Sequence, residues 1–315
     1  MKAVLIDEYG APEVLKVQEK DIPEPGEKEV LVRVKAAAVN PVDYKVRQGK
    51  LRPLSGKADQ KPLGSDFAGE VVRTGKKITR FGEGNAVFGI VRSLKGGAYA
   101  EYVTVPEDQL ILKPDNISFN EAAGASMAAL TALQGLRDEG KIKKGMKVLI
   151  NGASGGVGSC AVQIAKHYGA TVTGVCSTAN LEMVMALGAD EVIDYNKEDF
   201  SERKNTWDII FDAVAKEGYT TCAPALASDG VYITTLPKPQ AIVLQLLSKV
   251  LPGKSCKYFM MKPNHHDLDE VRALLEKGAL KIPIAKTYPL NEISEAHKHS
   301  ESGHANGKII IEMPE

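Results

Sequence analysis

NGASGGVGSC, residues Asn151 to Cys160, holds four glycines within positions 152–158, between the apolar run MKVLIN and the helix-like AVQIAKHYG. Glycine gives up more backbone freedom on folding than any other residue, so such a cluster needs a reason. A turn between a buried strand and a helix supplies one. Its glycines let the chain reverse tightly and admit a pyrophosphate onto bare N–H groups, where the positive end of the helix favours the anion. Gly155 and Gly158 hold the last two positions of the dinucleotide fingerprint, with Ala153 where its first glycine belongs. A loose glycine match alone also fits a tight packing turn, so the surrounding elements decide.

Downstream, short apolar runs alternate with helical material: ATVTGVC, the helix NLEMVMALG closed by Gly188, then DEVIDY, WDIIFDAV and GVYITTL. This alternation predicts a parallel sheet covered on both faces, a doubly wound α/β fold. Residues 241–261 are expected to add a helix and a sixth strand. Upstream, Ser118 and Glu121 form a capping box ahead of an Ala-rich helix, ISFNEAAGASMAALTALQGL. Residues 1–115 have a different texture, with EVLVRVKAAAVN, GEVVRTG, NAVFGIV and AYAEYVTV broken by frequent turns. That pattern predicts a small irregular β-barrel. The tail, IPIAKTYPLNEISEAHKHSESGHANGKIIIEMPE, has turn, helix and strand character and is expected to return to the first domain. The domain division is therefore 1–120 with 262–315, and 121–261.

The composition narrows the function. Forty basic residues balance forty acidic ones, without the basic excess of a phosphate-backbone binder, so no nucleic-acid partner is expected. No apolar run is long enough for a membrane span, and MKAVLIDEYG reads as a strand rather than a signal peptide. The four cysteines are scattered, with no CxxC pair, which fits neither a disulfide framework nor a zinc lobe. A reduced, cytoplasmic protein is the expectation.

The end of the second strand selects the dinucleotide. An NAD site places a carboxylate there for the ribose 2′-OH, whereas an NADP site uses small hydroxyls and a cation. Here the segment is VCSTANLE, with no carboxylate before Glu182. Ser177 and Thr178 are expected to donate to a 2′-phosphate, so the predicted cofactor is NADPH.

With these residues in view, GMKVLINGASGGVGSCAVQIAK closely resembles the quinone oxidoreductase signature of the medium-chain dehydrogenase/reductase superfamily, in its zeta-crystallin-like branch. AAAVNPVDYKVRQG, GSDFAGEVV, ALTALQGL and GHANGKIIIE extend the resemblance along most of the chain. NPVDYKVRQGKLRP, LGADEVIDY and GHANGKI are most similar to the enone and chloroplast-type quinone oxidoreductases. The resemblance implies a GroES-like β-barrel substrate domain built from both termini, around a Rossmann domain. It implies a pyrophosphate loop of Ala153, Ser154, Gly155, Gly156, Val157 and Gly158. Ser177 and Thr178 face the 2′-phosphate in this reading, and Tyr195 lies along the adenosine. Thr131, Thr235 and Leu236 belong to the nicotinamide side. Asn306, Gly307 and Lys308 close over the cofactor, and pairing through the last Rossmann strand, SCKYFMM, implies a homodimer. Two positions depart from the family: Ala179 replaces a frequent cation, and Gly84-Asn85 replaces a Gly-Asp turn.

Zinc dehydrogenases share this architecture, so the ligands must settle the metal. Catalytic zinc there needs a Cys and then His, Glu or Cys ligands. Residues 1–150 contain neither Cys nor His, and Asn40 stands at the position of the first ligand, so no metal site is expected. His265, His266, His297 and His299 read as surface residues. Without a metal to hold an alkoxide, an activated acceptor such as a quinone or α,β-unsaturated carbonyl is the expected substrate. Its oxygen needs only a hydrogen-bond donor and a proton. The resemblance places the polar groups of NPVDYK near the nicotinamide, which makes Asn40, Tyr44 and Lys45 the candidate catalytic residues: Tyr44 as donor, Lys45 to stabilise the enolate and Asn40 to orient cofactor or substrate. Asp43 reads as a turn cap, Asp66 as structural, and Tyr9, Phe67 and Phe88 as barrel core or pocket wall. Two other functions fit the same motifs: an enoyl-thioester reductase, for which KVRQGKLRP would offer a basic entry, and a non-enzymatic NADPH-binding protein.

Overall fold

The computed structural model describes residues 1–91, 94–214, 218–235 and 253–314. The chain divides into two compact units. One comprises Met1–Met127, Pro263–Gly278 and Ile282–Glu315; the other comprises Ala128–Lys262 and Ala279–Lys281.

The first unit opens with β1 (Lys2–Ile6), β2 (Lys16–Glu19), β3 (Glu29–Val39) and β4 (Lys61–Pro62). It continues through β5 (Asp66–Thr74), β6 (Ala86–Ile90), β7 (Tyr102–Pro106) and β8 (Leu110–Leu112). The second unit carries β9 (Lys147–Asn151), β10 (Thr171–Cys176), β11 (Glu191–Asp194), β12 (Trp207–Asp212), β13 (Leu226–Thr234) and β14 (Ser255–Tyr258). The chain then adds β15 (Ile284–Pro289) and β16 (Lys308–Glu312) to the first unit.

In the first unit β2, β1 and β4 form a small antiparallel sheet. The larger sheet runs β15-β16-β3-β5-β6-β8, with β7 also paired to β3. The tail returns as expected: Ile309 to Glu312 pair antiparallel with Val39 to Ala36. Long β3 is buried along nearly its whole length. Val30, Val32 and Val34 join Val4, Phe67, Tyr99 and Ile311 in a core of mostly β-branched and aromatic side chains, residues that pack well on a pleated surface. Phe67 and Phe88 are fully buried, which makes them core rather than pocket wall.

The second unit has parallel strands in the order β11-β10-β9-β12-β13-β14. Numbered from β9, that is 3-2-1-4-5-6, the doubly wound dinucleotide-fold order. The sheet reverses direction of winding between β9 and β12. In such folds ligands bind outside the carboxyl ends of the strands at this point. The glycine turn follows β9 there, and the helix Gly156–His167 follows the turn. Leu149, Ile210, Trp207 and Tyr232 are in the core beneath.

Two expectations need correction, and a third falls outside the described residues. The sixth strand ends at Tyr258, short of Met261. The helix expected earlier in 241–261 falls largely on 241–252, outside the described residues. His297 is fully buried, because Ile293, Ala296 and His297 make one face of the helix Ile293–Glu301. The capping box holds: Ser118 Oγ accepts from the Glu121 N–H and donates to its carboxylate, ahead of the helix Phe119–Gln134.

Candidate functional site

The glycine turn begins at Gly152, whose φ of +79° is costly for any other residue. The N–H groups of Gly152 and Ala153 both donate to the Val175 carbonyl of β10, at 3.1 and 2.9 Å, and so hold the turn against the sheet. A Cβ on Gly158 would lie 2.0 Å from the Gly152 carbonyl oxygen. Only glycine lets the helix start so close to the turn. Around Gly155 the space is more open, because a Cβ there would stand 3.4 Å from the same oxygen. Gly155 caps the helix without a side-chain bond, and the first turn carries no acid. Its N–H groups are thus free of a competing carboxylate, an arrangement that suits a pyrophosphate. Ala153 is buried, while Ser154, Gly156 and Val157 are partly accessible.

The next strand end adds hydroxyls and a carboxylate. Cys176 closes β10 opposite Asp194, which closes β11. Thr178 Oγ1 donates to Asp194 Oδ2 at 2.6 Å, and Asp194 also accepts from Asn196 N and Nδ2. The Thr178 bond and the Asn196 donors hold the Asp194 carboxyl below the usual carboxylate range, against some desolvation. Thr178 therefore spends its proton inside the protein in this structure, rather than presenting it outward. Ser177 is different: its Oγ accepts from Asn180 Nδ2 at 3.0 Å, and the same nitrogen reaches Ser154 Oγ at 3.2 Å. Tyr195 follows β11 with 56% of its surface exposed. Asn180 and Asp194 escaped the sequence reading. The i,i+3 spacing of Ser177 and Asn180 in a tight turn was the available signal for Asn180. Asp194 belongs to the neighbouring strand, so only pairing reveals it.

At the carboxyl end of β12, buried Asp212 accepts from Asn151 Nδ2 (3.0 Å), Tyr232 Oη (2.6 Å) and Val214 N (3.1 Å). It thereby fixes the residue that leads into the glycine turn, another contribution the sequence did not disclose. Thr131 is buried in the helix Phe119–Gln134. Thr235 is partly buried just after β13, and Leu236 lies outside the described residues.

The remaining candidates belong to the first unit. Asn40 caps the helix Pro41–Arg47 in a capping box with Asp43. Its Nδ2 donates to Asp66 Oδ2 at 3.0 Å, and its Oδ1 accepts from Lys308 Nζ at 2.6 Å. Lys308 also reaches Asp66 at 3.2 Å, while Met127 N donates to the other Asp66 oxygen. All three side chains are nearly sealed from solvent. Burial pushes the Asp66 carboxyl up, while Lys308 and the Asn40 amide pull it back. Lys308 thus turns inward to pair with Asp66; Gly307 beside it is buried and Asn306 exposed. Asp43 is more than a turn cap, because it also accepts from Ser65 and from Tyr99 at 2.9 Å. Burial chiefly, and the Asp66 charge secondarily, push it up to about 7 against these donors.

Tyr44 and Lys45 extend from the same helix, each half-buried. Neither Tyr44 Oη nor Lys45 Nζ has a hydrogen-bond or ion-pair partner among the described residues. Burial, with the Glu301 charge, raises the Tyr44 phenol. Burial, with Lys50, lowers the Lys45 ammonium. Both shifts favour the protonated phenol and a more readily released ammonium proton. Arg47, by contrast, is fully buried and paired with Glu301. It is lost to the basic entry that a carrier-bound thioester would need.

Comparison with known proteins places this geometry among its relatives. The alcohol dehydrogenase GroES-like domain matches residues 26–115, and the family described as zinc-binding dehydrogenase matches residues 187–311. A chloroplastic quinone-oxidoreductase homolog of Spinacia oleracea is 34% identical over 99% of this chain and 98% of its own. The chloroplastic NADPH-dependent alkenal/one oxidoreductase of Arabidopsis thaliana is 36% identical over 99% of this chain and 79% of its own. The structure of the quinone oxidoreductase from Coxiella burnetii superposes with a TM-score of 0.90 at 32% identity, covering 100% of this chain and 99% of that one.

Proposed function

We propose a function from one premise: this chain belongs to the quinone oxidoreductase branch of the medium-chain dehydrogenase/reductase superfamily. The proposed activity is NADPH-dependent, zinc-independent hydride transfer to quinones or α,β-unsaturated carbonyls. One observation carries the substrate class. Residues 1–150 offer no thiol or imidazole for zinc, yet one helix presents an uncommitted phenol and ammonium, Tyr44 and Lys45.

The glycine turn and Ser154 would hold the pyrophosphate, and Ser177 the 2′-phosphate. When bound, NADPH would supply a hydride to the substrate carbon, leaving negative charge on the substrate oxygen. Tyr44 Oη would donate a hydrogen bond to that oxygen and Lys45 would stabilise the same charge, the kind of stabilisation an oxyanion site provides. Asn40 and Lys308 act indirectly in this reading. Their bonds to Asp66 anchor the first turn of the helix that carries Tyr44 and Lys45.

We assign substrate handling to residues 1–120 and 262–315 and cofactor binding to 121–261. Among the described residues no helix is long and apolar enough to cross a membrane. The four buried free thiols suit a reducing compartment such as the cytoplasm. Among the described residues strand β14 is the last strand on one side of the parallel sheet, and an edge strand invites pairing with a second copy. A homodimer through β14 is expected by light scattering, and a monomer at working concentration would remove that assignment. The activity itself is tested with protein treated with a chelator. It should oxidise NADPH with 1,4-benzoquinone and with 3-buten-2-one. Loss of activity on chelation and recovery with zinc would refute zinc independence.

A further inference from the structure

We propose that Asn180 is a positioning residue that directs two hydroxyl groups, Ser154 and Ser177, to donate outward toward the phosphates of the cofactor. The proposal rests on the NADPH reading above. A serine hydroxyl has one proton and two acceptor lone pairs. Asn180 Nδ2 has two protons, and the geometry gives one to Ser177 Oγ at 3.0 Å and one to Ser154 Oγ at 3.2 Å. Each serine oxygen then acts as acceptor toward Asn180 and keeps its own proton. Among the described residues neither hydroxyl proton has an acceptor. Both serines are partly accessible, whereas Asn180 is only 7% exposed, so the directing group is fixed and the directed groups face the site.

Thr178 is the internal contrast. It has the same hydroxyl chemistry on the same short segment, yet its proton goes to Asp194 at 2.6 Å and its oxygen is approached by Asn196 Nδ2 at 3.5 Å. Asp194 and Asn180 therefore divide the hydroxyls of Ser177-Thr178 into one free donor and one spent donor. Asn180 also joins the pyrophosphate turn to the 2′-phosphate end through a single amide. With Ala179 offering no cation, hydroxyl direction becomes the chain's means of recognising the extra phosphate.

Asn180→Asp tests this, because the carboxylate has the same shape but accepts where the amide donates. Both serine protons would then turn inward. Affinities for NADPH and NADH are read by fluorescence titration without substrate, and folding by thermal unfolding. The expected result is a loss of NADPH affinity of roughly tenfold to a hundredfold, the worth of a charge-assisted bond. NADH should weaken less, since it lacks the 2′-phosphate, and the parent's preference for NADPH should collapse. Ser177→Ala supplies an independent variant that keeps the fold. Alone it should lower NADPH affinity, and in the Asn180→Asp background it should add little at the 2′-phosphate, because both changes remove the same donor. An unchanged NADPH-to-NADH ratio in folded Asn180→Asp, or fully additive losses, would overturn the proposal. A parent that binds NADPH no better than NADH would instead overturn the cofactor reading beneath it.

Discussion

Tyr44 illustrates how much of a site a single residue's surroundings can define. Its neighbours on the helix Pro41–Arg47 are committed: Asp43 to Asn40, Ser65 and Tyr99, and Arg47 to Glu301. Among the described residues Tyr44 and Lys45 are not. With its phenol raised by burial, Tyr44 keeps its proton at neutral pH and is available as a donor. Tyr44→Phe should therefore lower kcat with 3-buten-2-one by roughly tenfold or more, with NADPH affinity unchanged. An unaltered rate would assign the proton to water and leave Tyr44 as a pocket wall. The motif NPVDYK made these residues candidates, Tyr44 as donor and Asn40 as an orienting group, but it did not show that Asn40 is buried against Asp66. Both are polar and close to one another in the chain, and only burial and bonding distinguish an anchor from a reacting group.

Elements extend the same logic. The helix Pro41–Arg47 buries Asp43 and Arg47 one turn apart. Against it lies the helix Ile293–Glu301, with Glu301 holding Arg47 and His297 edge-on to the Tyr99 ring at 5.7 Å. His297 has no partner for either ring nitrogen among the described residues. Burial chiefly, and the Arg47 charge, lower it to about 3. Below its ordinary pKa near 6.5 the unfolded state takes up a proton that the folded state refuses, so stability falls with pH from about 6.5 toward 3. Asp43 has the opposite sign. Raised to about 7, it takes up its proton first in the folded state, so its contribution favours folding as pH falls. The two slopes offset in the parent and separate only by difference. At pH 5, relative to pH 7.5, the parent should lose about 2 kcal/mol of urea stability compared with His297→Leu. A difference independent of pH would show that His297 is not held neutral. The polar look of EISEAHKHSESG concealed this burial, although Ile293, Ala296 and His297 already have the spacing of one helix face.

Across the whole molecule, legibility followed the range of the interactions. The strands and the Gly156–His167 helix were readable because local apolar runs and glycines mark them, and their alternation predicted a doubly wound parallel sheet, whereas the strand order 3-2-1-4-5-6 is set by pairings that alternation alone does not specify. The returning β16 strand was visible as an apolar run, but its pairing with β3 joins residues some 270 positions apart. A separation of 242 positions hides the buried Lys308–Asp66 pair, and Asp194 meets Thr178 only because β11 lies beside β10. Polar partners of this kind leave no periodic mark, so cofactor chemistry was legible as a class while its donor set was not. What remains central is whether this chain moves hydride from NADPH to an activated carbon without zinc. The most direct measurement follows the label from NADPH carrying deuterium in place of the transferable hydrogen. Protein stripped of metal is supplied with 3-buten-2-one and the labelled cofactor. Deuterium should appear on the β-carbon of the saturated ketone, at a rate that a chelator leaves unchanged. Deuterium on the carbonyl carbon of an alcohol product, or transfer that begins only when zinc is restored, would contradict the account.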